Sequence, residues 1–486
     1  MLVNHPKTRR RPLEIFSNAF LRVKYFVLTE ISEVLHKRRY RNFRPSYDSD
    51  AVVHGIDRYV ASLAAFLDRG NMEMFLKRLA ELTVKLLPEP LKGRALFVPE
   101  LDELTRRAST LFRVPASAAA KSKCLVHVAT EVYLTGGHTR VIEDVVAALP
   151  EYEHSLIITR PETSELDSLR SRFDQAGLKV HLLQALSRIE RTRELSSLIS
   201  ELRPEAVLLF AHQYDSIAYV GVTPDAAPRV LFIHHGDHRP SLGASRADYV
   251  HVDVTPECHR VCASHPILNA SLLNLTADDI GTVSMFKRYP IFGVTCGSSH
   301  KYEGASEFTY AQLLAEMFSA GVHRILHIGN MPASQEDQIR ANIALHGQDS
   351  SRIVFLPNTT SLAAKLKEIS PDFYLTSHPL GSGKATLEAM SVGLPILYIC
   401  PASTPSLLNS DMTFGASVSV STLDQVAAAV RRLDTERESL GKGSRAVYEK
   451  YYSQAAFREG LLSVISSSDR KNSLKRECGL CQHEVE

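Results

Sequence analysis

The chain has 486 residues, of which 44% are apolar and 23% charged, a composition that builds globular cores and excludes a disordered polymer. Its length predicts two or three domains, and a formal net charge of +2 argues neither for nor against a polyanionic partner. The charge is unevenly spread: residues 1–44 hold eleven Lys or Arg against Glu14, Glu30 and Glu33, a local +8, so the rest of the chain carries −6.

The basic arm contains the run "IFSNAFLRVKYFVLTEI", which Arg22 and Lys24 interrupt. It is too short and too charged for a spanning helix or a signal-peptide core. It reads either as a solvated face or as an amphipathic anchor that touches an anionic membrane through residues 7–44. It has no nucleic-acid recognition fold, so no nucleic-acid partner is expected. Seven scattered cysteines, an odd number, fit a reducing cytoplasm, with the arm allowing a membrane-peripheral location.

Apolar spacing predicts helices over 12–38, 51–69, 71–87 and 100–113, and "RVPASAAAKSK" then reads as a linker. From residue 124 short apolar runs alternate with helical patterns: "CLVHVAT", "SLIIT", "KVHLL", "AVLLFAH", "RVLFIHH" and "DYVHVDV". A second series begins at "IFGVTCG" and continues through "RILHIGN", "RIVFLPN", "DFYLTSH" and "PILYIC". The rhythm predicts an α/β chain with two Rossmann-like doubly wound domains and an N-terminal helical extension. The boundaries expected are a helical, basic 1–120, a first Rossmann-like acceptor domain 121–285, a second Rossmann-like donor domain 286–468 and a polar tail 469–486. Residues 276–290 read as the hinge.

Open parallel sheets bind ligands at the carboxyl ends of their strands, so the loops that follow strands are the ones to search. After "CLVHVAT" comes "EVYLTGGHTRV". Gly136 and Gly137 precede a helix whose free amides could face a phosphate, but G-G-H-T-R is no dinucleotide fingerprint, and the glycines could equally serve only the turn. His138 stands where a side chain could take a proton. After "RVLFIHH" lie His234, His235, Asp237 and His238, which suggest acceptor contacts, an acid/base pair or, least well, a metal, since no spaced zinc motif is present. After "IFGVTCG" comes "SSHKYEG", where Lys301 could sit beside a diphosphate or be a solvated surface lysine.

The stretch "SHPLGSGKATLEAMSVGLPILYI" (377–399) is a strand end, a turn through Gly381, Ser382 and Gly383, and a helix. A Walker loop needs Gly at the place of His378 and Ser or Thr at the place of Ala385, so an ATPase reading fails. A helix N-terminus favours an anion, and Glu388, one turn beyond Lys384, could accept bonds from sugar hydroxyls.

The run "GSGKATLEAMSVGLPIL", taken with "GGHTRVIEDVVAALP", resembles the GT-B glycosyltransferases over about residues 121–465. Leu380 stands where glycogen-synthase-like retaining members have a second glutamate, so the closer likeness is to the O-GlcNAc transferase and bacterial cytoplasmic N-glycosyltransferase group. The resemblance implies Lys301 as the diphosphate ligand, Glu388 as the ribose ligand and His138 as the histidine of the first loop. The expected donor-binding set is Ser298, His300, Lys301, Asn330, His378, Gly381, Ser382, Gly383, Lys384, Thr386 and Glu388. The expected catalytic set is His138, His235, Asp237 and Lys301, with Gly136 and Gly137 as a phosphate loop.

No resident cofactor and no metal are expected, the co-substrate being a nucleotide sugar, UDP-sugar in the first place. The reading is thus a hexosyl or N-acetylhexosaminyl transferase acting on a protein, glycan or lipid-linked acceptor. A nucleotide-sugar epimerase of the same fold and a non-catalytic nucleotide-binding subunit are the alternatives. The final "CGLC" (478–481) reads as a tail with free thiols, or as part of a zinc or redox site.

Overall fold

The computed structural model describes residues 49–85, 97–115, 118–134, 137–236, 240–263, 268, 270–283, 290–303, 306–401 and 411–466. The membrane-anchor reading of residues 7–44, the helix over 12–38 and the terminal Cys478–Cys481 pair lie outside them. The chain divides into the units Met1–Ile56 and Asp57–Glu486, and both sheets belong to the second. Among the described residues no helix is long and apolar enough to cross a membrane.

Helices come first: α1 (Ser49–Asp68), α2 (Met72–Lys85) and α3 (Pro99–Ser109). The last two are joined to the first sheet's layer by buried or half-buried carboxylates. Glu73 of α2 accepts from the amides of Arg188 and Ile189 at 3.2 and 3.1 Å, satisfying donors that a helix start leaves unpaired. Asp102 of α3, buried, accepts from the amides of Gly243 and Ser245 and from the Ser245 hydroxyl.

The first sheet contains β1 (Cys124–Ala129), β2 (Glu153–Ile158), β3 (Leu178–Leu182), β4 (Ala206–Phe210), β5 (Arg229–His234), β6 (Val250–Asp253) and β7 (Ala270–Leu272). Its helices are α4 (Gly137–Ala148), α5 (Leu166–Gln175), α6 (Arg188–Leu202), α7 (Ser216–Gly221) and α8 (Pro256–Ala263). The strand order is β3-β2-β1-β4-β5-β6-β7, all parallel. Strands covered on both faces need apolar residues throughout, and "CLVHVA" and "AVLLF" are buried at every position.

The second sheet contains β8 (Phe292–Cys296), β9 (Arg324–Ile328), β10 (Ile353–Leu356), β11 (Phe373–Leu375), β12 (Ile396–Ile399) and β13 (Ser417–Val420), in the order β10-β9-β8-β11-β12-β13, again all parallel. Around it lie α9 (Tyr310–Ser319), α10 (Ala333–Leu345), α11 (Leu362–Ile369), α12 (Gly383–Ser391), α13 (Val426–Thr435) and α14 (Arg437–Tyr451). The last helix among the described residues, α15 (Gln454–Ser466), returns to the first half: Phe457, Leu461, Val464 and Ile465 share one core with Val141, Ile142 and Val145 of α4.

The connection expected to be a hinge is tied down over the part described. Thr276 donates to the Tyr452 carbonyl at 2.8 Å, Tyr448 donates to the Ala277 carbonyl at 2.8 Å, and the Val283 amide donates to Val392 at 2.9 Å. Arg445 of α14 pairs with Asp279 at 2.6 Å. Four anchors on one short segment oppose free swivelling here, because each must break for the segment to turn.

Candidate active site

In each sheet the strand order reverses direction at the first strand: β1 lies between β2 and β4, and β8 lies between β9 and β11. At such a switch point the neighbouring loops leave in opposite directions and open a crevice. The loops that follow β1 and β8 are those carrying His138 and Lys301.

In the second half the Lys301 ammonium donates to the Ser382 hydroxyl at 2.9 Å and to the Gly381 carbonyl at 3.2 Å. The Leu380 amide donates back to the Lys301 carbonyl at 3.2 Å. Lys301 is therefore seated on the glycine turn that opens α12, where the helix start favours negative charge. Ser382 lies 2.8 Å from the Ser377 hydroxyl, so the turn is fixed from both sides.

On the loop that leads to Lys301 is a hollow of about 530 Å³ at the ends of β8, β9 and β10, lined by Ser298, Gly329, Asn330, Pro332, Phe355 and Pro357 among others. Its floor needs glycine. A Cβ on Gly329 would stand 2.1 Å from the Gly297 carbonyl oxygen, and its φ is +151°. The Ser299 amide donates to the Asn330 carbonyl at 3.2 Å, binding the two loops together. Ser298 is half-buried, while His300 and Asn330 are exposed.

Three residues expected at the donor have other partners. His378 is buried with its ring stacked on Phe308, centroids 4.9 Å apart, and its Nε2 lies 2.9 Å from the Ser306 hydroxyl. Thr386 is buried and donates to the Ser382 carbonyl one turn back, at 2.9 Å. Lys384 does not face the turn: its ammonium pairs with Asp144 of α4 and donates to the Thr276 carbonyl, joining the two halves.

Glu388 accepts from the Ala363 amide at 2.8 Å, capping α11. With Arg140, Asp144 and Lys384 it lines a second cavity of about 500 Å³. Burial pushes the Glu388 carboxyl up, against the pull of the Ala363 amide. Burial likewise pushes Asp144 up to about 6, against the pull of Lys384.

In the first half His138, His212 and His235 gather at the ends of β1, β4 and β5. The His138 ring centroid is 4.7 Å from that of His235 and 5.5 Å from that of His212. Among the described residues neither His138 nitrogen makes a well-formed hydrogen bond, although the Phe210 carbonyl is close enough to favour its charged form slightly. Burial, then the two neighbouring imidazoles, hold His138 well below the usual histidine range, so the ring is neutral near pH 7 and able to accept a proton. Gly136 and Asp237 lie outside the described residues. Gly137 opens α4, with nothing within 4 Å of where a Cβ would be.

Glu131 also belongs to this edge, and sequence reasoning missed it. It directly follows the β1 loop residue Thr130, is 5% exposed, accepts from the Tyr133 hydroxyl and lies 3.4 Å from Arg160. An acidic residue two positions past a strand buried at every position was the available signal. His234, next to His235, turns the other way into a buried group with Asp253, Cys258 and Cys262.

No protein-family model matches the sequence, and no curated protein matches it either. The fold has many solved counterparts. An O-GlcNAc transferase mutant of Thermobaculum terrenum superposes with a TM-score of 0.50 at 15% identity, over 84% of this chain and 79% of its own. The lipopolysaccharide outer core galactosyltransferase WaaB, in apo form, gives 0.54 at 14% identity over 70% and 99%. Anabaena HepE in complex with UDP and glucose gives 0.50 at 11% identity over 71% and 99%. With two parallel sheets of matching order and these counterparts, the chain has the GT-B glycosyltransferase fold, two Rossmann-like halves.

Proposed function

We propose that this protein is a glycosyltransferase that moves a hexose or N-acetylhexosamine from a nucleoside diphosphate donor, UDP-sugar first, to a hydroxyl or amide of a protein or glycan acceptor. The observation that carries the reading is the seating of Lys301, whose loop lines the Ser298–Asn330 hollow, on the Gly381–Ser382 turn. The hollow suits a nucleoside, and the ammonium with the helix-start amides suits its diphosphate. The fold counterpart HepE, solved with UDP and glucose, supports the choice of UDP.

In this reaction the bond from the anomeric carbon to the diphosphate breaks, the bond to the acceptor forms, and the acceptor's proton leaves. Lys301 and the start of α12 stabilise charge on the departing diphosphate, the role a divalent ion has in other transferases. Neutral His138 takes the proton. Burial, and then His235 and His212, disfavour its charged form, which sets how strong a base it is.

The test is a screen of UDP-, GDP-, ADP- and dTDP-sugars for binding, hydrolysis and transfer, with and without added Mg²⁺. One nucleotide should bind in the micromolar range and lose affinity in Lys301→Ala. Failure of every donor to bind the folded chain overturns the reading. Conversion of the donor sugar without any acceptor would instead identify an epimerase.

A further inference from the structure

We propose that His234, Asp253, Cys258 and Cys262 form a structural zinc site that fixes α8 to the carboxyl edge of the first sheet. Three elements build it. His234 and Asp253 end the adjacent strands β5 and β6 and are direct cross-strand partners, so their side chains leave the same face. Cys258 and Cys262 are four residues apart on α8, hence on one face of that helix. All four are 1% exposed or less, and all four donor atoms lie within 4.8 Å of one another.

The spacing is that of a coordination sphere. Four ligands at zinc bond lengths of about 2.0–2.3 Å in a tetrahedron stand roughly 3.4 Å apart for nitrogen to oxygen and 3.6 Å for nitrogen to sulfur. Here His234 Nδ1 is 3.0 Å from Asp253 Oδ1 and 3.3 Å from the sulfur of each cysteine, each a few tenths of an ångström short of those spacings, and the remaining donor pairs stay within 4.8 Å. Two thiolates, an imidazole and a carboxylate are a borderline-soft donor set that suits zinc above magnesium or calcium. Four protein ligands with no open position make the site structural.

The surroundings resemble an outer shell. His251 Nε2 is 3.0 Å from Asp253 Oδ1 while its Nδ1 is 3.0 Å from the Ala244 carbonyl, and His259 Nδ1 is 3.3 Å from the other Asp253 oxygen. Such partners orient a ligating carboxylate. Beyond them Phe97, Val261, Leu268 and Ala270 form an apolar cover. In that setting a buried carboxylate beside two thiols is costly unless a cation or a proton network compensates it, and a bound dication does so for all four groups at once. His235 follows His234 directly, so the metal also anchors the strand end that presents His235 to the histidine group.

The test uses the full chain, purified without chelator. Elemental analysis should find zinc at one per chain, and Co²⁺ exchanged into it should show tetrahedral d–d bands with thiolate charge transfer. Cys258→Ser and Cys262→Ser should bind zinc at least ~10-fold more weakly, whereas Cys478→Ser/Cys481→Ser should retain it. If the cysteine variants do not fold, the wild type decides: native chelation should lower Tm and added Zn²⁺ should restore it. Folded wild-type chain that is metal-free and whose Tm ignores Zn²⁺ overturns the proposal. Zinc that leaves with the Cys478/Cys481 pair, or a disulfide between Cys258 and Cys262, overturns it as well.

Discussion

The Lys301 ammonium lies 2.9 Å from the Ser382 hydroxyl: a side chain that follows β8 is held by the turn that opens α12, 81 residues later. The lysine thus arrives at the helix start already oriented. Its removal should be felt by phosphate and not by the nucleoside. Hydrogen bonds involving a charged group contribute about 1.5–3 kcal/mol, so Lys301→Ala should weaken UDP binding roughly 10- to 150-fold and leave uridine binding nearly unchanged. Calorimetry with both ligands checks this, and equal losses for the two would contradict the seat described here.

His138 should govern turnover rather than donor affinity. His138→Asn should lower transfer by about 10²–10⁴-fold with UDP affinity intact. Because burial depresses its protonation, the acid limb of kcat/KM should fall below pH 6.5. The same depression bears on stability: the unfolded chain protonates first, so this group's contribution is present above the ordinary histidine value and is lost as pH falls through its lowered folded value. An acid limb above pH 7 in steady-state kinetics would point to another base.

Asp144 and Lys384 give a second pH signature. Burial sets Asp144 at about 6 in the fold, above its unfolded value, so the folded chain binds the extra proton between about pH 4 and 6 and stability declines as pH rises through that window. The span is at most about 3 kcal/mol, and Asp144→Asn should flatten it. Lys384→Ala strands a buried carboxylate and should cost about 3 kcal/mol at pH 8, less at pH 5 where Asp144 is protonated. Urea unfolding at the two pH values reads the difference. A cost independent of pH would mean that Asp144 is not the group left unpaired.

Glu388 separates two roles. As the cap of α11 through the Ala363 amide, its change to Gln keeps an acceptor and should cost only about 0.5–1.5 kcal/mol of stability. As a ribose ligand, the same change should weaken UDP and uridine binding alike, by roughly 10-fold. Parallel binding and melting measurements on Glu388→Gln tell which holds. Unchanged uridine affinity rejects the ribose role.

Two glycines make a contrast. Gly329→Ala places a methyl against the Gly297 carbonyl at a backbone angle that side chains avoid, and should cost about 1–3 kcal/mol or more while deforming the hollow. Gly137→Ala meets nothing and should stay within about 0.5 kcal/mol of wild type. A large loss of UDP binding in Gly137→Ala would support the phosphate-loop expectation for residues 136–137.

The fold was legible because parallel strands must be apolar on both faces: "CLVHVA" and "AVLLF" cannot be exposed. The place of Lys301 was legible because it follows the first strand of its sheet, where switch-point loops lie. Lys384 was not, since nothing local reveals a partner 240 residues away. Nor was the partner of His378, the Phe308 carbonyl 70 residues upstream. The zinc ligands escaped for the same reason: His234 and Cys262 are 28 residues apart, joined only by the pairing of β5 with β6 and the return of α8.

The helix α15 carries a consequence for synthesis. Its Phe457, Leu461, Val464 and Ile465 complete the core that Val141, Ile142 and Val145 began, more than three hundred residues earlier in the chain. On a ribosome the first sheet emerges long before its last cover, and the entire second sheet is made in between. The nascent first half must wait with that apolar flank uncovered, which makes it a natural client for chaperones until α15 has emerged.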